Sequence, residues 1–302
     1  MHQVGLLQVG SGDGPVLSGV RGSAMQHGLK IEELTARDAE RRFPAFVVPP
    51  EMQAIYEPTA GYLLVERCVA AHVGAALNHG AELRCDETVV AWRVEHGRAI
   101  VQTGRETYAA DRLIVTAGAW ANQLLGHLGL PLTVLRKEVF WWPLGPISTH
   151  ATSAFADSGC PTFLYDLPAG CFYGFPAIDA RGVKVAEHSG GELVADPLGV
   201  DRSVDPRQLS RVARFAGTYL RQIGKEHHGH DVCLYTMTPD GHFIVDRHPQ
   251  HPRVALAAGL SGHGFKFAPV LGQILCELTI DGRSTLPIDF LSLTRFDKST
   301  AV

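Results

Sequence analysis

The sequence predicts an α/β protein of two lobes, and three observations carry that prediction. Residues 254–258 form an unbroken apolar run that ends in a glycine-rich turn and continues into a helical apolar period over 266–280. Between about 127 and 233 the texture changes to aromatic strands, at 137–142 and 171–175, beside a single long helix. A chain of 302 residues also exceeds one ordinary core and fits two.

Residues 3–9 read as a strand, and Thr35 with Asp38 opens a short helix that must stop before Pro44. Val65, Val69, Val73, Ala76 and Leu77 recur at helical spacing over 66–78, and Gly80 supplies the stop. Alternating segments at 88–94, 98–103 and 106–109 predict a small antiparallel meander. Residues 112–120 follow as a buried strand running into a glycine turn. Asp205 before Pro206 announces the long helix, with Leu209, Val212, Phe215, Ala216, Tyr219, Leu220 and Ile223 on one face before Gly224. The last helix buries Phe267, Val270, Leu271, Ile274, Leu275 and Leu278 and ends at Asp281 and Gly282.

The net charge of -4 is dispersed, and its densest basic spot is Arg41 and Arg42 beside Glu40, so neither nucleic acid nor anionic lipid is the expected partner. The six cysteines show no CxxC and no regular spacing, which argues against a disulfide framework or structural zinc and for a reducing cytoplasm. No apolar run approaches the ~18 residues of a membrane span, and the first residues lack a signal-peptide pattern. A small molecule is the expected partner.

The strand, turn and helix from 254 to 280 carry the strongest chemical signal. A helix N-terminus stabilises negative charge, and Gly262 and Gly264 allow close backbone approach. On pattern alone the same turn can be a plain connection. Residues 4–14 imitate a dinucleotide-binding fingerprint with Gly10, Gly12 and Gly14, and Glu32 and Glu33 lie about twenty residues on. Pro15 stands at the third fingerprint position, and Gly19, Gly22 and Gly28 weaken a following helix.

Residues 233–240, 243–249 and 259–267 together resemble the C-terminal segment of the monomeric sarcosine oxidase and N-methyltryptophan oxidase family. Residues 56–61, 116–120, 173–176 and 183–191 follow the family's order at compatible spacing. The resemblance implies a two-lobe α/β (α+β) flavoprotein of the glutathione-reductase-like class. Its Rossmann-like FAD lobe comes from residues 51–126 and 234–302, and its antiparallel-sheet substrate lobe from 1–50 and 127–233. It also implies that the family's opening G-x-G-x-x-G unit and an arginine for the substrate carboxylate lie outside this sequence, so that residues 4–14 belong to the substrate lobe.

By the same resemblance, Cys233 is the cysteine that carries FAD through a thioether, although on its own it is an ordinary core thiol. Lys266 matches the lysine paired with the substrate carboxylate, and Lys184 the lysine near flavin N5 whose charge favours reduction of oxygen. Tyr173, His188 and Tyr235 match residues lining the substrate pocket. Gly118, Trp120, Leu234, Leu260, Gly262, His263, Gly264 and Phe265, with Lys266, fall in the segments that contact the flavin. The implied reaction oxidises a secondary N-methyl amino acid with oxygen, giving the amino acid, formaldehyde and hydrogen peroxide, in a monomer. A related glycine or D-amino-acid oxidase, and a non-catalytic remnant or binding module, are the alternatives. Residues 183–191 and 293–296 lean towards the N-methyltryptophan pattern.

Three features carry blander readings. His227, His228 and His230 lie in a polar loop and are not expected to bind metal. His263 stands where a nucleophile elbow needs its second glycine. Trp141 and Trp142 are expected to pack the substrate lobe or its rim.

Overall fold

In chain order the elements of the computed structural model begin with β1 (Leu6–Gly10), α1 (Pro15–His27), β2 (Glu32–Thr35), α2 (Ala36–Arg42), β3 (Gln53–Glu57) and α3 (Val65–Asn78). Next come β4 (Val89–Glu95), β5 (Arg98–Thr103), β6 (Thr107–Ala110), β7 (Leu113–Val115), α4 (Ala121–Leu125) and β8 (Thr133–Trp142). β9 (Thr162–Leu167), β10 (Gly170–Phe175), β11 (Val183–Glu187), β12 (Glu192–Leu193), α5 (Pro206–Tyr219) and β13 (Gly229–Met237) follow. The chain closes with β14 (Ile244–Arg247), β15 (Val254–Ala258) and α6 (Ala268–Ile280). The structure describes residues 1–145, 155 and 159–296.

The chain divides into two units, Met1–Val69 with Lys137–Gly191 and Asp201–Cys233, and Ala70–Arg136 with Glu192–Val200 and Leu234–Val302. These contact units differ from the lobes expected with boundaries at 51 and 127 in where residues 51–69 and 127–136 fall. β3 pairs with both β1 and β2, which holds residues 51–69 in the first unit. Asn122 donates to the carbonyl of Leu132, and Leu132 belongs to the core of the second unit, which holds 127–136 there.

The large sheet runs β12–β8–β11–β10–β9–β1–β3–β2, with β13 also paired to β8. Within this sheet, among the registered pairs of the described residues, only β1 with β9 is parallel. One face of this sheet buries Phe140, Trp142, Val183, Val185, Phe163, Tyr165 and Phe172 against Val212, Phe215 and Ala216 of α5. Asp205 caps α5 by accepting from Arg207 N–H, with Pro206 in the first turn. The helix ends at Tyr219 rather than Gly224, because residues 220–223 turn into bridges with Phe46 and Leu144.

α1 forms despite Gly19 and Gly22. Pro15 starts it, left-handed Gly28 (φ 63°) ends it, and Arg21 ties it to Gly12, Glu33 and Gln53. Its glycines stand in open space and only Leu17 and Ala24 are buried, so the helix depends little on packing.

In the second unit β15 lies parallel to β7 and antiparallel to β14. Val254, Leu256 and Ala258 enter one core, while Ala255 and Ala257 pack on Leu271, Ile274, Leu275 and Leu278 of α6. Burial on both faces explains why this strand reads as an unbroken apolar run. Phe267 differs from expectation: it is 40% exposed, because it stands before the first turn of α6 and outside that packed face. The expected helix at 66–78 is present as α3, yet none of its residues is buried. No helix among the described residues is long and apolar enough to cross a membrane.

A histidine cluster joins the short turn Gly126–Leu128 after α4, the meander and the β14–β15 connection. Gln250 N–H donates to His248 Nδ1 (3.2 Å), which places the ring proton on Nε2, 2.8 Å from His127 Nε2. Trp92 packs edge-on against His248 and His251. Burial, with His251 and His127 as neighbours, lowers the His248 pKa from 6.5 to about 4. The unfolded chain therefore binds the extra proton first. The stabilisation from a neutral His248 is complete above about pH 6.5 and is lost as pH falls towards 4, by roughly 2 kcal/mol. Urea unfolding followed by tryptophan fluorescence at pH 7 and pH 4.5 should show this loss, reduced in His248→Asn. Equal losses in both proteins would remove His248 as the cause.

Candidate active site

Strand alternation assembles the first part of the site. β11 pairs with β10 so that Lys184 faces Phe175 and Ala186 faces Tyr173. On its other side it pairs with β8, so that Lys184 faces Trp141 and Ala186 faces Val139. The residues of each row point to one side of the sheet, opposite the face that buries Val183 and Val185. Val139, Trp141, Ala186 and Tyr173 pack together there, apart from the main core.

His188 continues this face. Its N–H donates to the carbonyl of Cys171 (2.7 Å), and its ring meets that of Tyr173 edge-on at 6.3 Å. Lys184 Nζ lies 5.4 Å from the Trp141 ring centroid and 5.5 Å from that of Phe175, in reach of cation–π attraction. Arg181 also stands over Trp141, at 4.5 Å. Burial lowers the Lys184 pKa, while Cys233, Asp231 and Glu66 oppose that shift. Cys233 is exposed, and atoms packed near its sulfur push the thiol up while the Lys184 ammonium pulls it down. Lys184 and Cys233, 49 positions apart in the sequence, thus share one electrostatic environment.

The segment 187–191 is tied down from two directions. Glu187 is buried, which raises its pKa, but hydrogen bonds from Arg211, Ser189 and Gln208 outweigh burial and hold it below the usual range. Lys137 is buried as well and donates to the carbonyls of His188, Ser189 and Gly190 at 3.0, 2.6 and 3.0 Å.

The second part of the site is the turn between β15 and α6. Gly259 (φ 61°), Ser261 (φ 47°) and Gly262 (φ 79°) all take left-handed backbone. A Cβ on Gly262 would stand 2.2 Å from the ring of Tyr235, and one on Gly264 would stand 2.6 Å from Leu260. The turn is therefore moulded on Tyr235 and Leu260, with Ser261 N–H bonded to the carbonyl of Thr236. His263 Nδ1 is 2.9 Å from the carbonyl of Ser261, and the ring packs on Phe243. Lys266 and His263 line an apolar cavity of about 420 Å³ with Phe243, Phe267, Ile274 and Phe290. Phe265 is partly exposed, and Leu234 follows Cys233 along β13.

Gly118 and Trp120 lie elsewhere in the second unit. Gly118 is left-handed (φ 53°) with open space where its Cβ would be, and Trp120 borders a second cavity of about 470 Å³ with Thr116, Ala117 and Trp92.

Sequence reasoning missed Lys137, Phe175 and the cationic partners of Trp141. Strand alternation puts positions 137, 139 and 141 on one face of β8, but both faces of 137–142 start with a charged residue and continue apolar, so no polarity pattern in the sequence told them apart. Trp142 packs in the core, as expected of that pair, whereas Trp141 carries Lys184 and Arg181 beside its ring. His227 packs on Phe140 and Trp142, and the His230 ring bonds the carbonyl of Arg202.

Within the second unit, the N-terminal end of α6 and its left-handed turn favour negative charge of the kind a reduced flavin carries. In the first unit, Cys233 is an exposed thiol that burial pushes up and the Lys184 ammonium pulls down. The comparisons agree. The profile of the family described as FAD dependent oxidoreductase matches residues 1–278. A monomeric sarcosine oxidase of Streptomyces avermitilis is 35% identical over 309 residues, covering 98% of this chain and 77% of that protein. An N-methyl-L-tryptophan oxidase of Yersinia pestis is 33% identical, covering 97% and 76%. Among solved structures, NikD, an amino acid oxidase of nikkomycin biosynthesis, superposes with a TM-score of 0.81 at 23% identity, covering 96% of this chain and 76% of its own. Glycine oxidase from Geobacillus kaustophilus gives 0.77 at 20% identity, covering 97% and 75%, and both likenesses bear on the fold. With this fold, this glycine turn and this match along its length, the chain belongs to the FAD dependent oxidoreductase family.

Proposed function

We propose that the protein oxidises a secondary N-methyl amino acid, of the sarcosine or N-methyltryptophan type, at its carbon–nitrogen bond. The observation that carries this reading is the row Phe175–Lys184–Trp141 with Cys233 in electrostatic reach of Lys184. A lysine drawn out of water and fixed beside the attachment cysteine is a preorganised charge. The second unit is read as the FAD lobe and the first as the substrate lobe. Cys233 of the first unit and the 259–266 turn of the second are the residues that would hold FAD, which would supply a two-electron oxidant.

Lys266 holds the substrate carboxylate through its ammonium. Tyr173, Tyr235 and His188 line the substrate. Lys184 presents positive charge where oxygen is reduced. The products in this reading are hydrogen peroxide and an imine, which water converts to formaldehyde and the free amino acid. Six unpaired cysteines favour a reducing, cytoplasmic setting in this reading, and the monomer follows the relatives named monomeric sarcosine oxidase.

In flavin-loaded protein, Lys184→Met should slow reoxidation by oxygen on the order of a hundredfold, with a much smaller effect on reduction by substrate. Lys266→Met should weaken substrate binding and flavin reduction and leave reoxidation largely intact. Anaerobic stopped-flow reduction followed by mixing with oxygen measures the two steps separately, and equal slowing of one step by both variants would contradict this division. Cys233→Ser should release its flavin on acid precipitation while the parent protein retains it. A flavin-bearing peptide mapped to any other cysteine would refute the attachment site.

A further inference from the structure

Lys137 is absent from the roles above, yet its ammonium is among the most completely engaged groups of the first unit. The residue is 4% exposed and lies on β8, two positions from Val139 and four from Trp141 in the row facing β11. Nζ reaches the three successive carbonyls of His188, Ser189 and Gly190. Those carbonyls converge because Gly190 (φ 61°) and Gly191 (φ 123°) reverse the chain through left-handed backbone. Three tetrahedral N–H donors match three acceptors, which a planar guanidinium would not do in the same space.

The clamp acts on the segment that carries His188. Behind it, Arg211 of α5 fixes Glu187, and Ser189 Oγ donates to Glu187 and accepts from Cys171 N–H. His188 therefore sits between an anchor in α5 and an anchor in β8.

We infer that Lys137 is a positioning residue: by gripping the carbonyls of His188, Ser189 and Gly190 it fixes the His188 ring on the face where the N-methyl amino acid lies. The inference rests on the reading that His188 lines the substrate. It also predicts a weakness at alkaline pH. Burial lowers the Lys137 pKa to about 8, against the opposing influence of Glu187 on β11 and Cys171 on β10. A neutral amine keeps two N–H donors and turns a lone pair towards a carbonyl, so the grip loosens above that pH.

The test uses flavin-loaded protein, the variants Lys137→Met and His188→Asn, and sarcosine and N-methyltryptophan as substrates. Lys137→Met should raise KM on the order of tenfold and change kcat less than about threefold. In protein labelled at histidine, the ring signal of His188, assigned from its loss in His188→Asn, should show a step near pH 8 that Lys137→Met lacks. A folded Lys137→Met with parental KM and a parental His188 titration overturns the inference. Should Lys137→Met fail to fold, the parent protein alone decides, and a His188 signal with no step near pH 8 overturns it. If instead His188→Asn leaves KM unchanged for both substrates, the reading of His188 as a substrate contact fails, while the ring titration still tests whether Lys137 holds it.

Discussion

The pairing register of β10, β11 and β8 is the constraint on which the rest of the first unit depends. Because side chains alternate along a strand, a single register places Val183 and Val185 in the core and Lys184 and Ala186 on the opposite face. A slip of one residue would drive Lys184 into the core and bring Val185 out. The packing that prevents the slip is extensive. Phe172 stacks on Phe215 of α5 at 4.5 Å, and Trp142 and Phe140 fill the neighbouring positions. Gly174 shows how tightly the register is held, since a Cβ there would stand 2.2 Å from the ring of Phe163. The absence of a side chain at 174 lets Tyr173 and Phe175 keep their places on the site face.

The two faces of this sheet solve different problems. The core face supplies apolar burial, at about 25 cal/mol per Å² removed from water, and holds the Glu187–Arg211 ion pair beside it. The site face gathers Lys137, Lys184 and His188 among aromatic rings, where each ammonium must find compensation. Lys137 finds it in carbonyls and Lys184 in ring faces and the acidic groups Asp231 and Glu66. A cation held by quadrupoles and distant charges remains available to a reacting partner, whereas one saturated by three carbonyls serves the backbone. The same residue type thus takes two roles from two environments.

The second unit relies on backbone conformation more than on side-chain charge. Its turn between β15 and α6 is left-handed at Gly259, Ser261 and Gly262, and Tyr235 occupies the space a Cβ at 262 would need. Ser261 bears the cost of a left-handed non-glycine backbone, and its side chain bonds the carbonyl of Gly259 and the N–H of Thr238 in compensation. Tyr235 and Thr236 of strand β13 are packed and hydrogen-bonded against this turn.

Much of this protein was legible in its sequence. The period-two and period-3.6 patterns gave the meander, β15, α5 and α6 within a few residues, because those patterns express which face meets water. The segments 233–240 and 259–267 pointed to the flavin family by resemblance, and the glycines at 259 and 262 are required by the left-handed backbone of that turn. Local spacing misled in three places: α1 formed across two glycines, α5 stopped at Tyr219, and Phe267 fell outside the packed face of α6. The end of α5 was decided by contacts distant in sequence, the bridges of Leu220 to Phe46 and of Ile223 to Leu144. The sequence by itself determined the elements, the family and the identity of Lys184, Cys233 and Lys266 as candidates. Only the tertiary structure decided that Lys137 clamps the segment holding His188 and that Trp141 and Phe175 flank Lys184. Strand register pairs residues tens of positions apart, and no local period encodes which strand will lie beside which.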